Sequence, residues 1–185
     1  MKLGFIGLGI MGTPMAGHLR AAGHELFVTT RVAAPQALLD AGAVACKTAA
    51  DVARQADVIF LMVPDTPDVE KVLFGKDGVA EGLSAGKCVV DMSSISPMAT
   101  KDFAARIATL GCDYLDAPVS GGEVGAKAAS LTIMVGGTEA AFARVQPLFQ
   151  LMGKNITHVG GVGDGQTTKV ANQIIVALNI AAVSE

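Results

Sequence analysis

GFIGLGIMG, residues 4–12, is the stretch that decides how this chain folds. Glycines 7, 9 and 12 form G-x-G-x-x-G, directly after the apolar run KLGFI (2–6) and directly before MGTPMAGHLRAAG (11–23), whose composition suits a helix. Each glycine has a separate task in a strand-turn-helix unit. Gly7 permits the tight turn, Gly9 lets the backbone approach a pyrophosphate, and Gly12 lets the helix pack closely on the strand. The helix N-terminus then faces the anion with its unpaired amides. The pattern is weak alone and strong in this setting, so residues 2–30 read as the first βαβ unit of a dinucleotide-binding domain.

The rest of the chain extends that reading. Short apolar runs recur at KLGFIG (2–7), ELFVTT (25–30), VIFLMV (58–63), KCVVDM (87–92), DYLDAPV (113–119), LTIMVGG (131–137) and NITHVG (155–160), with helical stretches between them. Most are continuous rather than alternating in polarity, as strands covered on both faces are. The expected fold is α/β, a doubly wound, mostly parallel Rossmann-type sheet. Hydrophobic residues make up 51% of the chain and aromatics only 4%, so the core must be aliphatic. Ser96 and Pro97 supply an N-cap and a first-turn proline for a helix ending at Gly111. Thr138 and Glu139 open another, which Pro147 is expected to break or restart. From Gln166 onward the chain reads as an apolar helix with Asp164 near its N-cap.

Chemistry is expected at the carboxyl ends of the strands. The second strand ends at Thr30 and Arg31, with no acid before Asp40 to accept from the ribose hydroxyls. A guanidinium matches a 2′-phosphate in charge and geometry, so NADP(H) is favoured over NAD(H), the alternative being a solvated loop charge. Met62, Val63 and Pro64 stand where a loop turns off its strand and can wall the cofactor. DMSSIS (91–96) places Ser93 and Ser94 at a strand tip, as a site or as ordinary turn chemistry. Ser120, Gly121 and Gly122 combine a hydroxyl with exposed backbone N–H groups, a nest for a carboxylate. On the last helix Lys169, Asn172 and Gln173 share one face. Lys169 is either a desolvated proton donor or a lysine reaching along an exposed stripe.

Composition also excludes partners. With a net charge of −3 and its cations scattered singly, the chain has no stripe for nucleic acid and no polybasic membrane patch. Cys46, Cys88 and Cys112 form no paired framework, and His18, His24 and His158 lack ligand spacing, so no metal is assigned and a reducing, cytoplasmic setting is expected. The apolar tail at 174–183 is about half of a bilayer span.

Several motifs taken in order, GFIGLGIMGTPMA, FLMVPDTPDVEKVLFG, VVDMSSISP, DYLDAPVSGGEVGA and GDGQTTKVANQIIVALN, resemble the β-hydroxyacid dehydrogenases over essentially the whole chain. That resemblance implies a dinucleotide-binding domain at 1–163. It makes 164–185 the start of an interdomain helix leading to an all-helical domain, which lies outside these 185 residues. It implies NAD(P)H-dependent reduction of tartronate semialdehyde to D-glycerate, or of a related 3-hydroxy acid's aldehyde such as that of 3-hydroxyisobutyrate; a non-catalytic binding module is the third expectation. Gly7, Leu8, Gly9, Ile10, Met11, Gly12, Thr30 and Arg31 would hold the cofactor, with Met62, Val63, Pro64 and Ser94 beside it. Ser120, Gly121 and Gly122 would take a substrate carboxylate. Lys169 would be the acid/base and Asn172 its partner or the substrate's. The exposed apolar helix implies association with a further domain or another chain, and a homo-oligomer once that domain is present.

Overall fold

The computed structural model describes all 185 residues. Along the chain run β1 (Lys2–Ile6), α1 (Gly12–Ala21), β2 (Glu25–Thr29), α2 (Gln36–Asp40), β3 (Val44–Ala45), α3 (Ala49–Gln55), β4 (Val58–Leu61) and α4 (Thr66–Phe74). A 3₁₀ turn (Val79–Gly82), β5 (Cys88–Asp91), α5 (Pro97–Ala108), β6 (Asp113–Asp116), β7 (Val119–Ser120) and α6 (Gly122–Lys127) follow. The chain closes with β8 (Leu131–Gly136), α7 (Glu139–Phe149), β9 (Gly153–Gly160) and α8 (Asp164–Ser184).

The strands form one sheet in the order β3-β2-β1-β4-β5-β6-β8-β7, with β9 paired to β8. Pairing is parallel except where β8 meets β6 and β7. The chain winds outward from β1 through β2 to β3, then returns to β4 on the other side of β1 and winds outward again. The reversal leaves a crevice at the carboxyl ends of β1 and β4, where α/β sheets bind ligands.

Burial explains the continuous apolar runs. All four residues of β4 are buried, yet they face opposite ways: Val58 and Phe60 join one core cluster, Ile59 and Leu61 the other. Helices therefore cover both faces. Phe60 stacks on Phe5 at 6.0 Å and meets the edge of Phe149 at 6.4 Å, which ties β1, β4 and α7 together. Truncating so enclosed a ring costs about 3–5 kcal/mol.

Local signals behave as read at α5, where the Ser96 side chain accepts from the Ala99 N–H and Pro97 opens the first turn. Three expectations are corrected. Pro147 does not break α7, which runs unbroken to Phe149. Proline sits there on an exposed face near the C-terminus, where one missing donor is cheap. Residues 113–119 are two strands, because Pro118 has no N–H for the ladder and the chain turns from β6 to pair β7 antiparallel with β8. Strand β3 was not anticipated: its two residues are exposed, and the run AGAVAC (41–46) around them is made almost entirely of small residues with only Val44 β-branched.

Helix α8 is buried only in its first turn. Beyond it, Ile174, Leu178 and Val183 are 59%, 64% and 88% exposed, so no part of the chain covers that apolar surface. No helix is long and apolar enough to cross a membrane.

Candidate functional site

The glycine turn closes as its spacing requires. Gly7 adopts φ +95°, and its N–H donates to the Thr29 carbonyl at 3.0 Å, which carries the chain off β1 beside the end of β2. A Cβ on Gly12 would overlap the Gly7 carbonyl oxygen, so only glycine lets α1 start this close to the strand. Thr13 Oγ1 donates to the Leu8 carbonyl at 3.0 Å and braces the loop. Gly9 faces open space, as a residue must where a phosphate is to approach backbone. No side chain caps α1, and its first turn carries no acid. The Thr13 N–H is taken by the Gly9 carbonyl and Pro14 has no N–H, but the amides of Gly9, Ile10, Met11 and Gly12 have no acceptor within the protein, so the residues present fit a dinucleotide diphosphate.

These groups open into a cleft of about 920 Å³. All twelve residues read as cofactor contacts line it: Gly7, Leu8, Gly9, Ile10, Met11, Gly12, Thr30, Arg31, Met62, Val63, Pro64 and Ser94. The Val63 N–H donates to Ser93 Oγ at 3.0 Å, which joins the loops after β4 and β5 into one wall. Arg31 Nη1 lies 3.4 Å from Asp68 Oδ1, and with the guanidinium 79% exposed this pair holds the arginine only loosely.

The five residues read as catalytic or substrate-binding stand outside the walls of that cleft. Ser120 lies on β7 opposite Thr132 of β8. Gly121 and Gly122 follow at the start of α6, both exposed, with φ +133° and +58°. Lys169 is half-buried on α8, and desolvation alone holds its amine below the usual lysine range. Asn172, one turn on, donates to the Gln173 side chain at 3.2 Å.

Residues 2–160 match the family described as the NAD binding domain of 6-phosphogluconate dehydrogenase. The chain belongs to this family. Over all 185 residues it is 65% identical to 2-hydroxy-3-oxopropionate reductase of Escherichia coli (strain K12), and it spans 63% of that protein's length. Among solved structures it superposes on Mycobacterium tuberculosis 3-hydroxyisobutyrate dehydrogenase with L-serine at TM-score 0.90 and 34% identity, covering 98% of this chain and 62% of that one. It superposes on Psf3 in complex with NADP+ and 2-OPP at TM-score 0.91 and 32% identity, covering 97% and 64%.

As an NAD(P)-binding fold, the chain brings further groups into its cleft that were not singled out from sequence. Lys47, Lys71 and Lys76 line it, as does Asp68. Asp68, Lys71 and Val72 recur at i, i+3 and i+4 on α4, so helical periodicity applied to DTPDVEKV would have put all three on one face. Lys47 arrives just after β3, the two-residue strand that the sequence did not reveal.

Proposed function

We propose that the protein reduces tartronate semialdehyde (2-hydroxy-3-oxopropanoate) reversibly to D-glycerate, with NADP(H) favoured over NAD(H). The observation that carries this reading is the 65% identity, over the full chain, to a protein named for that reaction. The glycine loop and the α1 N-terminus would hold the diphosphate, and Met62, Val63, Pro64 and Ser94 the nicotinamide end. When bound, the nicotinamide supplies or accepts the hydride. Lys169 Nζ gives its proton to the carbonyl oxygen, or takes it back in the oxidative direction. Desolvation favours that transfer, because a depressed amine pKa lies nearer to working pH. The Ser120 hydroxyl and the Gly121 and Gly122 amides bind the carboxylate, and Asn172 orients the substrate or the lysine. The dinucleotide unit (1–163) and the helix from 164 onward are one proposal with this, since the proton donor sits on the helix. Three unpaired thiols suit a reducing, cytoplasmic setting.

The NADP(H) preference is supported by Arg31, exposed at the end of β2, and by three lysines in the same cleft. The ratio of kcat/KM for NADPH over NADH tests it; a ratio below one reverses the assignment. Similarity to a 3-hydroxyisobutyrate dehydrogenase favours a second reading, a related small 3-hydroxy acid. Comparing kcat/KM on the two substrates separates them. For the chemistry itself, Lys169→Ala in the full protein should lower kcat by about a hundredfold or more with cofactor Kd within a few fold. A kcat close to the parent value removes Lys169 as the proton donor.

A further inference from the structure

We infer that Gln166 is a positioning residue: one buried amide fixes the start of the helix that carries Lys169 to the strand-tip loop that lines the cofactor cleft. The inference rests on the reading above, because it assigns Gln166 the task of holding those two parts in register.

Gln166 is 1% exposed, and both ends of its side chain are used across the gap between α8 and the loop after β5. Its Oε1 accepts from the Ile95 N–H at 3.1 Å, and its Nε2 donates to the Ser93 carbonyl at 2.7 Å. Those two backbone groups flank Ser94, which lines the cleft. Ser93 then passes the connection on, since its Oγ accepts from the Val63 N–H and its own N–H donates to Asp91 Oδ1 at 2.9 Å.

On the helix side the grip is equally close. The Gln166 N–H donates to Asp116 Oδ2 at 2.9 Å and the Gly163 N–H to Asp116 Oδ1 at 2.8 Å, so one carboxylate from the end of β6 clasps the first turn. A Cβ on Gly165 would lie 2.6 Å from the carbonyl oxygens of Asp116 and Met134, so this turn is pressed against β6 and β8. Lys169 follows Gln166 by three residues, under one helical turn. Beyond that turn only Thr168, Lys169 and Asn172 are partly covered and the rest of α8 is exposed, so these bonds are the main hold on the position of Lys169 within this chain.

A glutamine of merely structural value would contribute stability and nothing else. One that sets register also controls turnover and the order of Val63, a residue it does not touch. The test uses Gln166→Met, which keeps the volume and removes both polar ends, beside Thr138→Ala, which removes the N-cap of α7 away from the site. Each protein is assayed the same interval below its own Tm. In the cofactor-free protein, Gln166→Met should speed amide exchange at Val63 about tenfold while Thr138→Ala leaves it unchanged. In the full protein with NADPH and tartronate semialdehyde, kcat should fall about tenfold or more with substrate KM within about threefold. If Gln166→Met does not fold, Gln166→Asn serves: it keeps an amide but is one methylene too short to reach both Ser93 and Ile95, and should move both readouts the same way. Parent-like kcat and Val63 exchange in a folded variant overturn the inference alone. A parent protein that neither binds NADPH nor turns over overturns the functional reading and this inference with it.

Discussion

Helices α1 and α8 begin in opposite ways. At α1 no side chain caps the N-terminus and the neighbouring Gly9 faces open space. At α8 the N–H groups of the N-cap Gly163 and of Gln166 are taken by Asp116, a buried carboxylate that belongs to the protein. Both ends carry the same partial positive charge. In the first it is left for a ligand that arrives and leaves; in the second it is spent on holding a helix in place. One fold thus uses a single physical device to build both a binding site and a fixed support.

Removing the support should have the largest effect. Asp116→Ala leaves the Gly163 and Gln166 N–H groups buried without acceptors, and two charge-assisted bonds are lost. The expected cost is about 4 kcal/mol in denaturant unfolding. A loss under about 1 kcal/mol would mean that the clasp is ornamental.

Next comes the acid beside it. Burial pushes Asp91 up from 3.8 to about 6, against the opposing hydrogen bonds from Ser93 and Tyr114. The folded protein therefore keeps a proton that the unfolded chain releases, so this group's contribution falls as pH rises from about 4 to about 6 and is constant above. The stability difference between parent and Asp91→Asn should shift against the parent by about 3 kcal/mol between pH 3.5 and pH 7. Burial also raises Asp116, which acts with the same sign in both proteins, and because its charge helps to raise Asp91 the difference reports the two carboxylates together. A difference that does not vary with pH contradicts the assignment.

The smallest of the three probes the open end. Gly12→Ala puts a methyl group into the Gly7 carbonyl and must spread the turn that receives the diphosphate. Cofactor affinity should fall about a hundredfold, close to 2.7 kcal/mol, read by calorimetric titration. Unchanged affinity would show that the anion does not depend on this turn.

The same contrast explains what could be read from sequence. The open end is local: its glycines, strand and helix lie within about twenty residues, and all twelve cofactor candidates fall on one cleft. Runs such as VIFL were legible because strands buried on both faces leave no polar gap. The clasp was not legible, because Asp116 reaches Gly163 across 47 positions and Gln166 reaches Ser93 across 73. No periodicity or spacing rule marks a pairing of that kind. Pro118 illustrates the same limit, since its missing N–H hides in an apolar run that reads as one strand and folds as two.

Everything above requires the α1 N-terminus and its glycine turn to receive a nicotinamide dinucleotide's diphosphate. That requirement is tested most directly by titrating NADP+ and NAD+ into ¹⁵N-labelled protein and following every backbone amide. Saturable shifts should be largest at Gly9–Gly12 and small at Gly163, Asp164 and Gln166, whose donors are already occupied. No saturation by either coenzyme at millimolar concentration, or shifts centred elsewhere, would contradict the account.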